Sequence, residues 1–311
     1  MAVSYQKNMS RRANKRNRKK FLPSRKEDFF LFRAERVGET DMGERIPELQ
    51  ALRDKKVAVI GLGNLGAPSA IEFAKAGVGE LRIIDYDIVE GGTIVRWPFG
   101  LSAVGLGKVD CIKDFIAKNF PYTNVVPEIH RLGSTEQRVD GRTELEILNN
   151  FFVGIDLVFD ATAEYGIQHF LADLCQANKI PYVCISTTFG IWGGRIYRIA
   201  PGKTEGCWVC LQIFRDKNKD WVPIADPKGE VHPKGCAAPT FTGANFDSLQ
   251  ISSAGVRLAV ATLCAGVSDG YPNFDWDVGV VDFRDVNGQA IAPNWRTFQL
   301  KKHPECKRCN P

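Results

Sequence analysis

Short, wholly apolar runs alternate along this chain with longer amphipathic stretches. "KVAVI" at residues 56–60 is one such run; it opens onto Gly61-x-Gly63-x-x-Gly66 and then a stretch with helical spacing that reaches about Lys75. Apolar runs bounded by turn residues predict strands buried on both faces, and a 3.6-residue period predicts the helices that cover them. The couple repeats: "LRIIDYD" with "GKVDCIKDFIAKNF", "VVPEIHRL" with "TELEILNNFF", "IDLVFDAT" with "IQHFLADLCQANK", and then the strand "IPYVCISTTFG". The rhythm predicts an α/β fold with a Rossmann-like, doubly wound, mostly parallel sheet, whose ligands sit at the carboxyl ends of the strands.

Outside this core the pattern changes. Residues 26–54 are expected to be mostly helical, from "KEDFFLFRAERVG" and "RIPELQALRDK". After about residue 190, "GGRIYRIAP" reads as a strand in a different setting, and residues 215–247 are irregular and rich in Gly and Pro. One helix, "DSLQISSAGVRLAVATLCAG", and short strand-like pieces such as "VGVVDFRDV" follow, giving a β and irregular extension. The expected organisation is a disordered basic tail over 1–25 and one domain over 26–311, with a nucleotide-binding half at about 55–190 and a second half at about 191–311.

Charge sharpens the tail. The formal net charge is +5, but nine of the 41 Lys and Arg residues lie in residues 1–25 with no acid, leaving 32 basic against 36 acidic residues elsewhere. "SRRANKRNRKK" lacks apolar residues to pack, so it is read as a solubilising segment or a contact for an acidic partner. No aromatic pattern interleaves with it, so nucleic-acid recognition is not the expected role. No run of 18 apolar residues suggests a membrane span, and no apolar stretch follows the basic start as a secretory signal requires. A 44% hydrophobic, 25% charged chain with nine cysteines and no such signal fits a soluble protein of a reducing compartment, the cytoplasm.

The glycine turn aims backbone N–H groups at a helix N-terminus, a phosphate site in any nucleotide binder. Asp85 ends the second strand, nineteen residues after Gly66, where a carboxylate accepts hydrogen bonds from ribose hydroxyls. A nicotinamide dinucleotide and ATP fit equally to this point. Asp87, Arg96 and Lys108 then favour a triphosphate, because an arginine fork and a lysine point charge neutralise phosphate oxygens that a nicotinamide ring lacks.

In that order "GLGNLG", "AGVGELRIIDYDIV", Arg96, "GLGKVD" and "LVFDATAEYG" resemble the ThiF/MoeB/HesA superfamily of ubiquitin-activating-like adenylyltransferases, from about Arg33 to Cys309. The resemblance implies adenylation of the C-terminal glycine carboxylate of a ubiquitin-like protein by ATP and Mg²⁺, followed by transfer to an acceptor. It assigns Gly61, Gly63 and Gly66 to the nucleotide turn, Asp85 and Asp87 to the acid pair, Arg96 and Lys108 to the phosphates, and Arg36 to the ATP of a homodimeric partner. The sequence departs from the family at Thr93, where asparagine is usual, at Trp97, where glutamine is, and after Thr162. There the family's Asp-Asn is Ala163-Glu164, so either Glu164 or Asp160 supplies the carboxylate that handles Mg²⁺ or activity is lost; Thr93, Asp160, Thr162 and Glu164 are the cofactor-binding candidates that the resemblance leaves at these positions.

Cys207-x-x-Cys210 and Cys306-x-x-Cys309 supply four thiolates, enough for a closed tetrahedral Zn²⁺ site, with two unrelated reduced pairs or a redox motif as alternatives. Cys111, Cys175, Cys184 and Cys264 read as core. Cys236, in "HPKGCAAPTFTGANFD", falls where the resemblance places the acceptor cysteine, with Lys234 close enough in sequence to favour its thiolate and Thr240 and Thr242 as hydroxyl alternatives. The four histidines show no metal spacing. A conjugating enzyme is a further expected partner. The rival readings are a nicotinamide-dependent oxidoreductase and a weakened scaffold that binds a ubiquitin-like protein without activating it.

Overall fold

A computed structural model describes residues 2–6, 32–36, 38–134, 140–232 and 240–310. The chain forms two compact units, Met1–Pro47 and Glu48–Pro311.

In the first unit, β1 (Ala2–Gln6) pairs antiparallel with β2 (Phe32–Arg36), from Ala2 opposite Arg36 to Gln6 opposite Phe32. A short helix, α1 (Glu39–Gly43), follows, with the Gly38 N–H donating to the Asp41 carboxylate at 3.0 Å. Two expectations change here. Residues 32–36 form a strand rather than part of a helix, because "FRAER" alternates apolar and polar with period two over this stretch. Residues 2–6 are paired backbone rather than unstructured tail, and the basic run after them lies outside the described residues.

Most of a 3-10 stretch, Pro47–Asp54, belongs to the second unit. The unit then alternates β3 (Lys56–Ile60), α2 (Gly66–Lys75), β4 (Glu80–Asp85), α3 (Lys108–Asn119), β5 (Asn124–Ile129), α4 (Glu144–Phe152), β6 (Leu157–Asp160), α5 (Tyr165–Asn178) and β7 (Tyr182–Thr187). It continues through β8 (Gly193–Ile199), α6 (Trp208–Lys217), β9 (Glu230–Val231), β10 (Thr240–Phe241), α7 (Asn245–Leu263), β11 (Val278–Arg284) and β12 (Ala290–Phe298). Eight strands make one sheet in the order β12-β11-β8-β7-β6-β3-β4-β5. β7, β6, β3, β4 and β5 run parallel, while β8, β11 and β12 are antiparallel additions.

Strand alternation divides the core into two layers. Val57, Val59, Leu81, Ile83, Phe159 and Ile185 face α2, α3 and α7; Ala58, Ile60, Ile84, Val158, Tyr182 and Tyr197 face α4, α5 and α6. Phe73 of α2 meets Phe159 edge-to-face at 5.1 Å, and truncating either to alanine costs about 3–5 kcal/mol. The strand order reverses between β3, which leads to β4, and β6, on its other side. That switch point opens a crevice at the strands' carboxyl ends.

The parallel core matches the sequence pattern closely. α6 and β12 were not legible in it: β12 contains Pro293 and carries mostly exposed residues, which an edge strand tolerates and a periodicity reading passes over. No helix among the described residues is long and apolar enough to cross a membrane.

Candidate functional site

The three glycines of the turn stand in three different settings. Gly61 has φ +81°, and a Cβ there would lie 3.2 Å from the Thr162 backbone across the switch point. At Gly66 a Cβ would sit 1.8 Å from the Gly61 carbonyl oxygen, so α2 can start only there as glycine. A Cβ on Gly63 would meet nothing within 4 Å, which leaves its backbone open to a ligand.

Two side chains hold the peptide groups of Leu62. Its N–H donates to Asp85 Oδ2 at 2.5 Å, and its carbonyl accepts the indole N–H of Trp97 at 2.8 Å. The other oxygen of Asp85 accepts the Asp87 N–H at 2.8 Å. Asp85 thus shapes the turn as well as facing the crevice, and Trp97, 5% exposed, is a positioning residue that the sequence pattern marked only as a departure from the family.

The crevice holds a cleft of about 260 Å³ lined by Gly61, Gly63, Asp85, Asp87, Lys108, Thr162 and Glu164, all singled out in the sequence. Lys108 begins α3, is 8% exposed, and places its ammonium 2.7 Å from Asp87 Oδ2. Sequence reasoning missed Tyr86 and Arg131, which follow β4 and β5 and also line the cleft, with the guanidinium 5.2 Å from the Tyr86 ring centroid. Burial, then the neighbouring Asp87 charge, raises the Tyr86 phenol above its usual range. His130 lines the same wall and binds the Glu144 carboxylate. The signal for these residues was their place one or two positions beyond a parallel strand.

Gly66, which starts α2, lies outside the lining, and so do Arg96, Thr93 and Asp160. Arg96 donates to the Phe241 carbonyl at 2.5 Å and to Thr240 Oγ1 at 3.0 Å, with its guanidinium over the Phe241 ring at 4.8 Å. It therefore grips β10, whose Phe241 does line the cleft. Thr93 donates to the Glu90 carbonyl at 2.8 Å within a 3-10 turn. Asp160 is fully buried: Oδ1 accepts from the Thr162 N–H and hydroxyl, and Oδ2 from the Tyr182 hydroxyl at 2.6 Å. Burial raises its carboxyl above the ordinary range against the pull of those donors. The expectation that Asp160 supplies a metal carboxylate is corrected on this geometry. Its oxygens organise the end of β6, and the exposed Glu164 is the carboxylate on the cleft at this corner. Between them Ala163 has φ +58°, a left-handed conformation unusual for a residue with a Cβ.

Arg36 belongs to the N-terminal unit and lies 3.4 Å from Asp41. Cys236 and Lys234 lie outside the described residues. The segment containing them joins β9 to β10, which pair antiparallel with Val231 opposite Thr240.

The four cysteines come together although two are at the far end of the chain. Sγ–Sγ distances are 3.7 Å for Cys207–Cys210, 3.6 Å for Cys207–Cys306 and 3.6 Å for Cys210–Cys309. All four Sγ atoms lie within 4.8 Å of one another, and three of the residues are buried. Ligands about 2.3 Å from a tetrahedral ion are roughly 3.8 Å apart, so the set fits a four-coordinate metal. The other described cysteines are buried singly or lie on α3, and burial raises the thiols of Cys175 and Cys184.

The site thus combines an open α/β sheet, a glycine turn at its switch point and a buried lysine beside an acid pair. The chain belongs to the ThiF family, whose profile matches residues 34–307. It is 37% identical over 288 residues to the uncharacterized protein y4oA of Sinorhizobium fredii, covering 91% of this chain and 48% of that one. It is 27% identical over 260 residues to the sulfur carrier protein ThiS adenylyltransferase of Escherichia coli, covering 84% and 88%. It is 29% identical over 170 residues to the molybdopterin-synthase adenylyltransferase of Salmonella typhimurium, covering 54% and 63%. The chain spans about half the length of y4oA and of y4qC, 48% and 46%. Among solved structures it resembles Escherichia coli MccB with ATP (TM-score 0.58, 16% identity, 83% of this chain and 67% of that one), a likeness of fold.

Proposed function

We propose that the protein is an ATP-dependent adenylyltransferase that activates the C-terminal carboxylate of a ubiquitin-like protein. The observation that carries this reading is the buried Lys108 ammonium on a cleft that also presents the open glycine turn and the Asp85–Asp87 pair. A dinucleotide site needs the turn and one acid; a lysine held at the start of α3 adds a fixed positive charge where a triphosphate needs it. The names of the ThiS and molybdopterin-synthase relatives support the reaction class.

In the reaction, a substrate carboxylate oxygen forms a bond to the α-phosphorus of ATP. The bond from that phosphorus to the bridging oxygen breaks, and pyrophosphate leaves. The nucleophile arrives ionised, so this step needs no protein base. The turn and the N-terminus of α2 hold phosphate oxygens, Asp85 and Asp87 face the ribose side, and Lys108 stabilises charge moving onto pyrophosphate. Glu164, the carboxylate that lines the cleft beside Ala163, would hold Mg²⁺, which would neutralise the triphosphate when bound. Arg96 fixes β10, which follows Cys236 in sequence and brings Phe241 to the cleft. Cys236 is the proposed thioester acceptor. Zn²⁺ is the proposed occupant of the cysteine cluster, in a structural role because four thiolates leave no open position. Arg36 is proposed to act across a homodimer, and light scattering of the full chain tests that association.

The test is exchange of labelled pyrophosphate into ATP with and without a candidate ubiquitin-like protein. Partner-dependent exchange is expected, abolished by Lys108→Ala and retained by Cys236→Ala, which loses only the covalent adduct. Partner binding without exchange favours the scaffold reading carried by Ala163. Binding of NAD in preference to ATP would overturn the proposal.

A further inference from the structure

β8 carries two buried arginines in contrasting surroundings. Arg198, fully buried, donates to the Asp277 carboxylate at 3.0 Å, to Asn273 and Thr262, and to the carbonyls of Phe274 and Trp276. Arg195, 6% exposed, has none of this. Its Nε has no hydrogen-bond partner, and the guanidinium lies 5.6 Å from the Tyr197 ring centroid.

Around Arg195 lie the guanidinium of Arg215 on α6, the hydroxyls of Tyr197 and Tyr182 and the thiol of Cys184, with Gln212 bonded to Arg215. α6 turns Trp208, Leu211, Gln212 and Arg215 inward, at the spacing of one helical face. Gln212 is 9% exposed, and its carbonyl oxygen is taken by Arg215, which leaves its Nε2 without a partner. Arg215 Nε is buried without a partner as well. Among the described residues neither Arg195 nor Arg215 is paired with a carboxylate. Burial, reinforced by the Arg215 charge, lowers the Arg195 guanidinium to about 10. A buried cation facing a second cation and an amide N–H₂ is unfavourable unless an anion joins them.

We propose that Arg195, Gln212 and Arg215 form a binding site for a tetrahedral oxyanion of the phosphate class, in the layer between β8 and α6. Charge sets the ligand class: two guanidiniums match a dianion, whereas a carboxylate leaves one positive charge uncompensated. Guanidinium forks and an amide N–H₂ from two elements suit oxygens that diverge from one centre. The site is distinct from the nucleotide cleft. Arg195 pairs with Ser186 across β7 and β8, and Thr187, the next residue, lines the cleft, so the two are one residue apart along β7.

The experiment is thermal unfolding of the full chain in inorganic phosphate against chloride at matched ionic strength and pH, using Lys108→Ala as the background so that phosphate at the nucleotide cleft is suppressed. At tenfold excess over its dissociation constant, phosphate is expected to raise Tm by roughly 2–4 °C. Arg195→Gln should abolish the rise. Arg215→Gln, on a less buried residue, should shrink it severalfold and serves if the first variant does not fold. Acetate should give no rise; an equal rise with acetate overturns the assignment to a dianion. No rise with phosphate, or a rise that survives both arginine variants, overturns the site.

Discussion

The hydrogen bonds that shape the glycine turn and the sulfur contacts of the cysteine cluster span very different lengths of chain. In the cleft, Lys108 reaches Asp87 21 positions away, Leu62 reaches Asp85 23 away, and Trp97 reaches Leu62 35 away. In the cluster, Cys207 meets Cys306 and Cys210 meets Cys309, each across 99 positions. Cleft contacts tune a turn that the parallel sheet already positions. Cluster contacts close a long loop and fix a C-terminal segment, residues 299–310, that has no helix or strand of its own. Damage to the first should therefore appear in chemistry, and damage to the second in stability.

The largest effect expected is on the cluster. Cys306→Ser, or stripping metal with a chelator, removes a clip over a loop of about 100 residues, worth about 4–5 kcal/mol by analogy with a disulfide closing such a loop. A Tm decrease of about 10 °C or more should accompany loss of one bound metal per chain, measured by elemental analysis and thermal melts. Unchanged Tm with full metal loss would break the comparison at its stability end.

Lys108→Ala should do the reverse. Removing a cation aimed at developing phosphate charge is expected to slow pyrophosphate exchange by about 100–1,000-fold. Its partner Asp87 is half exposed and can be hydrated, so Tm should move by no more than about 2 °C. Trp97→Phe is a smaller test of the same contrast. It leaves the Leu62 carbonyl without its indole donor in a buried setting, a loss of about 1–3 kcal/mol. Exchange should need about tenfold more ATP for half-saturation, with the metal content unchanged. If Trp97→Phe affects stability alone, the indole supports the core and not the turn.

This difference in span also explains what the sequence made legible. A turn, an acid pair and a lysine within about 50 residues lie within the reach of motif and periodicity, and so do strands that are apolar on both faces. The two CxxC pairs were legible for another reason: their chemistry names a common ligand even when the fold joining them is unknown. Tyr86 and Arg131 escaped because their meaning depends on strand order, which places the ends of β4 and β5 on one wall. The burial of Asp160 escaped because a carboxylate closing an apolar run reads the same whether it faces the crevice or the Tyr182 hydroxyl beneath it. Arg195 escaped because nothing in "GGRIYRIAP" distinguishes it from the fully satisfied Arg198.

The smallest expected effect addresses the family departure directly. Ala163 holds φ +58°, where a Cβ is disfavoured by about 1–2 kcal/mol and glycine is not. Ala163→Gly recovers that strain but adds freedom to the unfolded chain, so a net gain of about 0.5 kcal/mol and a Tm rise of 1–2 °C, roughly, are expected. Aspartate tolerates the same left-handed backbone better than alanine and would put a second carboxylate beside Glu164 on the cleft. If Glu164 already handles Mg²⁺, Glu164→Gln should raise the Mg²⁺ needed for half-maximal exchange severalfold. Adding Ala163→Asp should then restore it, because the hard cation asks only for an oxygen donor within reach. Failure of that rescue, with the fold intact by thermal melt, would mean that Ala163 marks a site where the metal is held elsewhere on the cleft, whose remaining acids are Asp85 and Asp87.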